Sequence, residues 1–161
     1  MLWWCKSIAL GPTPEPQAHL LTKNEERRTK NETTCNHYLM KIERFEDIEA
    51  WRIARELTKA IYQATRREMF AKDFGLKDQI TRAAGSAMHN IAEGFDSGSN
   101  AEFVRFLRYS QRSCSEVQSQ LYVAIDQDYI DNTIFDKLYD LASRAHGATG
   151  GVIKYLKNHG G

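Results

Sequence analysis

The 161-residue chain, 42% hydrophobic and 27% charged, has ordinary globular composition and enough length for one hydrophobic core but hardly for two. Its formal net charge of +1 is shared evenly along the chain, so bulk charge gives no argument for nucleic acid, and any such case rests on local clustering. Three cysteines without CxxC spacing, Cys5, Cys35 and Cys114, fit a reducing compartment such as the cytoplasm; Lys6 interrupts the first apolar run too early for a signal peptide, and nothing later approaches the ~20 apolar residues of a membrane span.

Residues 1–39 hold all three prolines (Pro12, Pro14, Pro16) and then a polar run from Thr22 to Thr34 with no helical or strand period. They bury little and are expected to form a disordered leader that belongs to no core. Periodicity begins at Met40, so either translation starts there or the leader is a flexible tail; the folded domain is expected over residues 40–161.

Four periodic segments follow. The first, about Glu46 to Arg67, places Trp51, Ala54, Leu57, Ile61 and Ala64 at helical steps, with Arg52, Arg55, Lys59 and Arg66 on the opposite side. A connection containing Asp73-Phe-Gly75 leads to a second helix, about Leu76 to Glu93, with Ile80, Ala83, Ala84, Ala87 and Ile91 inward and Gly94 as its C-terminal cap. Ser99-Asn-Ala-Glu102 is a capping box that opens a third helix. Its apolar stripe, from Phe103 through Leu107, Cys114, Val117 and Leu121 to Ile125, is interrupted only by small Ser110 and extends over roughly 42 Å. A fourth helix, about Thr133 to Asn158, offers a second box in Thr133-Ile-Phe-Asp136 and buries Phe135, Leu138, Leu141 and Ala145. Gly147, Gly150 and Gly151 weaken it, at about 1 kcal/mol each relative to alanine. No segment alternates like a strand, and short connections favour an all-α, antiparallel up-down four-helix bundle.

No catalytic constellation is present in this pattern. His89 and His146 are the only histidines within the helical region, and neither stands in an ExxH or HExxH spacing. Cys114 lies on an apolar stripe and reads as a small hydrophobe. Gly94-Phe-Asp-Ser-Gly98 precedes a helix N-terminus but lacks the lysine and spacing of a phosphate-binding loop. The chain is therefore expected to be non-enzymatic, with no cofactor, metal, membrane or small-molecule substrate.

Several motifs nevertheless resemble one family. Phe45-Glu-Asp-Ile-Glu-Ala-Trp51 with Ala54-Arg-Glu-Leu57, Gln79-Ile-Thr-Arg-Ala-Ala84 running into Asn90-Ile-Ala-Glu-Gly-Phe95, and Glu102-Phe-Val-Arg-Phe-Leu107 are similar to the proteins encoded in intervening sequences of 23S rRNA genes. The likeness covers about residues 42–157; Met88 stands where many members carry proline, which removes a kink from the second helix. The resemblance implies a homopentameric barrel of bundles, and it extends to the accessory variability determinant of diversity-generating retroelements, which binds nucleic acid.

Physical reading of the signature makes it structural. Asn90 and Glu93 fall at a helix end, where free carbonyls need partners, and Gly94 can end the helix in the left-handed conformation; Glu93 has Arg82 as a candidate partner. Two basic rows remain, Arg105, Arg108 and Arg112 on the third helix and Arg52, Arg55, Lys59 and Arg66 on the first. They are either solvated faces laced with pairs such as Arg52 to Glu56 and Arg112 to Glu116, or surfaces for RNA or DNA phosphates. The third helix is apolar around much of its circumference near Tyr122 and Val123, more than one core face requires. The expected protein is a non-catalytic homo-oligomer contacting nucleic acid, with a structural or protein-binding oligomer as the alternative. Deleting residues 1–39 should leave helical content and cooperative melting unchanged by circular dichroism; loss of cooperativity would move the domain boundary.

Overall fold

The computed structural model describes residues 42–159, so the expected leader and the start at Met40 lie outside the described residues. Among them there are five α-helices, one 3-10 turn and no strand. The 3-10 turn Phe45–Asp47 leads into α1 (Glu49–Ala64); α2 is Glu68–Lys72, α3 Phe74–Phe95, α4 Asn100–Asp126 and α5 Asn132–His159. The four long helices form a closed cycle of contacts in which α1 and α4 each pack against both α3 and α5.

The expected apolar positions line the core. Leu57 and Ile61 of α1, Ile80 and Ile91 of α3, and Leu107, Val117 and Leu121 of α4 are fully buried, with Leu138 and Ala145 of α5 beside them. Alternating long aliphatics with Ala54, Ala84, Ala87 and Ala142, all at 0% exposure, lets the backbones approach while the larger side chains fill the space between. Two hydroxyl groups bridge helices in this interior. Ser110 Oγ donates to the Ala87 carbonyl (2.7 Å), and Thr58 Oγ1 lies 2.8 Å from the Ala84 carbonyl as well as from that of Ala54. Ser110, the polar interruption of the α4 stripe, is thus a cross-link rather than a defect.

Helix count and helix ends differ from the sequence pattern in several places. The connection before α3 contains α2, a helix of 5 residues too short to show a period; its Phe70 is fully buried and stacks on Tyr129 at 5.3 Å. Asp73 caps α3, its Oδ1 accepting from the Leu76 amide (3.0 Å) while its Oδ2 accepts from the Tyr129 hydroxyl (3.3 Å). At α5 the cap is Asp131, not Thr133, with Asp131 Oδ1 accepting from the Ile134 amide (2.9 Å). Ser99 Oγ does accept from the Glu102 amide (3.3 Å), but the Glu102 carboxylate turns to Arg105 (2.7 Å) instead of closing the box.

A further difference concerns Gly94, where α3 continues through to Phe95. A Cβ at Gly94 would fall 2.7 Å from both Phe103 Cδ2 and Phe106 Cβ, so the glycine serves close approach of α4 and not a left-handed cap. The positive φ belongs to Gly98, at 77°. The chain leaves α4 through Asp128, two residues beyond the helix, with φ 56°. The Tyr129 amide donates to the Ala124 carbonyl (2.9 Å) and the Asp128 amide to that of Ile125 (3.0 Å), the two bonds of a Schellman turn.

Of the α5 glycines, Gly150 faces Gln111, whose Nε2 would lie 3.1 Å from an added Cβ, whereas Gly147 and Gly151 face open space. Gly147→Ala and Gly151→Ala should each stabilise the fold by about 0.5–1 kcal/mol, because alanine adds helix propensity and meets nothing. Gly94→Ala should destabilise by about 1–3 kcal/mol, since Phe106 Cβ is tied to its backbone and cannot give way. Urea melts of the three variants check both signs.

Candidate nucleic-acid interface

Helix α4 is fastened along both flanks. Toward α3, Ser113 Oγ pairs with Ser86 Oγ (3.1 Å), and Asn90 Nδ2 donates to the Ser86 carbonyl (2.7 Å) and hydroxyl (2.9 Å). Toward α5, Gln111 Nε2 donates to the His146 carbonyl (3.2 Å) and Gln118 Nε2 to Ser143 Oγ (2.9 Å). The rotation of α4 about its axis is therefore set, and its outward strip carries Arg105, Arg108 and Arg112, all exposed.

Their surroundings differ. Arg105 pairs with Glu102 and lies over the Phe106 ring at 5.6 Å. Arg112 does not reach Glu116; its guanidinium sits over the Tyr109 ring at 5.8 Å, a cation–π contact. Phe106 and Tyr109 meet edge to face at 6.2 Å, and Tyr109 is 40% exposed. Among the described residues, Arg108 and Arg112 have no carboxylate within salt-bridge distance. Glu116 instead accepts from Gln120 Nε2 (3.3 Å).

The basic row of α1 is broken up. Arg52 Nε donates to the Glu46 carbonyl (2.7 Å) and its NH2 to Asp47 (3.4 Å), in place of the pair expected with Glu56. Arg55 lies over Trp51 at 5.7 Å, and Lys59 is exposed. Arg66 stands beyond the last residue of α1, in the turn toward α2, so it does not share the helical face assumed for it.

The signature residues divide in the same way. Asn90 binds one turn back along α3, at the α3–α4 seam, and does not cap the helix end. Glu93 is exposed, and Arg82 pairs with Asp78 (3.0 Å); eleven residues of helix, roughly 16 Å, separate Arg82 from Glu93. Cys114 is fully buried, and burial pushes its thiol from the ordinary 9.0 up to about 12. Among the described residues, no group of three or more His, Cys, Asp or Glu side chains could hold a metal ion, and no helix is long and apolar enough to cross a membrane.

The arrangement is that of an all-α protein whose longest paired helices present arginines and aromatic rings outward. The family model of the 23S rRNA-intervening sequence protein matches residues 46–149, and the chain belongs to that family. A crystal structure of a protein of unknown function from the S23 ribosomal protein family of Bacteroides thetaiotaomicron is similar at 22% identity with a TM-score of 0.60, covering 65% of this chain and 98% of that one. At that identity the likeness concerns the fold. A comparison with curated proteins gave no match.

The buried thiol provides a check on the core behind this face. A raised thiol pKa means that the folded state favours the neutral form; the associated stability is fully present below about pH 9 and is lost as pH rises toward 12. With Cys5 and Cys35 replaced by serine, Cys114 should resist a thiol reagent at pH 8 and react only as the protein unfolds, which follows because the thiolate is the nucleophile. Prompt modification of the native protein would place Cys114 outside the core.

Proposed function

We propose that this protein is a non-catalytic homopentamer of antiparallel up-down four-helix bundles, cytoplasmic, that contacts RNA or DNA phosphates through its outward basic faces. It takes no cofactor and turns over no small molecule. The antiparallel arrangement is supported by the descending order of the contacts between α3 and α4, with Gly94 against Phe103 and Phe106, Ala87 against Ser110 and Ser86 against Ser113. Short connections between the long helices support it as well.

The observation that carries the nucleic-acid reading is the pair Arg108 and Arg112, exposed on a fastened helix without an ion-pair partner among the described residues. An arginine already tied to a carboxylate must release it before it can hold a phosphate, whereas these two have no carboxylate to release. Arg105 contributes after yielding Glu102. On α1, Arg55 and Lys59 are the stronger members, and Arg52 is the weaker because a carbonyl and a carboxylate hold it.

Assembly is supported by a different surface. Tyr122 and Val123 are 52% and 46% exposed, and Tyr122 gathers with Phe135 (5.1 Å) and Tyr139 (5.9 Å) into an outward aromatic cluster of α4 and α5. Closed cyclic symmetry would place the same contact at every junction and repeat the arginine row around the ring, raising the field each phosphate meets.

The test is a triple variant, Arg105, Arg108 and Arg112 each replaced by glutamine, whose melting temperature should barely move because exposed arginines contribute little to stability. Light scattering should give a mass near five times 18.5 kDa for both proteins. The variant should bind rRNA fragments more weakly at every sequence tried, with a shallower fall of log K against log salt, by about 0.9 per lost phosphate contact on duplex DNA or about 0.7 on single strands. A pentameric variant with unchanged affinity and slope would favour the purely structural or protein-binding oligomer.

A further inference from the structure

The arginine row of α4 is also an aromatic row. Arg105 lies over Phe106, Phe106 meets Tyr109 edge to face, and Arg112 lies over Tyr109, at 5.6, 6.2 and 5.8 Å respectively. Phe106 is partly buried beside Gly94, but Tyr109 is an outward residue, 40% exposed. A solvated arginine face needs no aromatic ring among its charges, and the core does not claim this one.

We infer that Tyr109, with the guanidinium of Arg112 over it, is a stacking platform for an unpaired nucleotide, and that Arg108 and Arg112 hold the flanking phosphates. The inference rests on the phosphate-contact reading above and narrows its target to single-stranded nucleic acid. In a duplex the base faces are covered by their neighbours, so a protruding ring on a helix reaches only backbone. In an unpaired strand each base offers a free π-face, and stacking on an aromatic ring or a guanidinium plane is indifferent to base identity. The platform therefore accepts any sequence, provided the strand is open. Arg108 and Arg112 stand one helical turn apart, ~6 Å along the axis of α4, so a strand running along the helix meets one and then the other.

The experiment measures binding of the full chain to a 20-nucleotide strand, to a duplex of the same sequence, and to the strand carrying abasic sites, with RNA and DNA as separate arms. Wild type should prefer the strand, and abasic substitution should weaken it about fivefold or more. Tyr109→Leu should lose a similar factor on the strand, little on the duplex, and should be insensitive to abasic sites, with its salt slope unchanged. Tyr109→Phe should restore stacking. The glutamine triple variant should weaken strand and duplex together. Equal wild-type affinity for intact and abasic strands would overturn stacking while leaving phosphate contact standing. Should neither the triple variant nor Tyr109→Leu alter binding, or should wild type bind none of the probes, the phosphate reading fails and the platform falls with it. The comparison of intact with abasic strand that decides the matter uses wild-type protein, so that outcome does not depend on how any variant folds.

Discussion

Helices α3 and α4 lie so close at Gly94 that one methyl group there would meet Phe106 Cβ at 2.7 Å, and much of the remaining architecture follows from that approach. It brings Ser110 within hydrogen-bond reach of the Ala87 carbonyl and Ser113 within reach of Ser86. Hydrogen bonds of this kind contribute only about 1 kcal/mol each, but a buried hydroxyl left without its partner costs as much or more. Sliding α4 by one residue would orphan both groups and drive Phe106 into the α3 backbone, so the seam selects one register. Once the register is set, the direction in which Arg105, Arg108 and Arg112 point is set too.

The outward strip of α4 changes chemistry along its length. Its first half carries arginines and Tyr109, its middle the small polar Ser115 and Ser119, and its end Tyr122 and Val123. A single helix thus separates a charged surface from an apolar one by about three turns. Two functions, one for a polyanion and one for a neighbouring subunit, can occupy the same helix without competing for the same side chains.

The apolar stripes were legible in the sequence because a 3.6-residue period is redundant over 20 or more positions; even the exception at Ser110 sat at a core position. Features that depend on one or two residues were less so. Helix α2 has fewer than two turns and shows no period, although Phe70 anchors it in the core. Gly94 looked like a cap since a glycine near a helix end reads alike whether it supplies positive φ or merely room, and only the position of Phe106 decides. Asp131 and Thr133 both qualify as N-caps two residues apart. For the basic rows, spacing identified the face but not the partners. Long arginine side chains choose among carboxylates, carbonyls and rings at similar cost, and Arg52 took the Glu46 carbonyl, which no charge pattern reveals. Arg66 fell outside its row because α1 stopped at Ala64.

The exit from α4 has a bearing on how the molecule opens. Asp128 occupies a left-handed conformation better suited to glycine, and the next residue, Tyr129, reaches across to Asp73 and stacks on Phe70. A helix as short as α2 has no stability of its own; its protection from solvent is borrowed from that tyrosine. The bend after α4 and the segment from Phe70 to Asp73, 56 residues apart at the Tyr129–Asp73 bond, therefore form one cooperative unit in local unfolding. When the bend relaxes, the buried ring of Phe70 and the capped start of α3 lose their shared partner together, so two distant stretches of chain open as one.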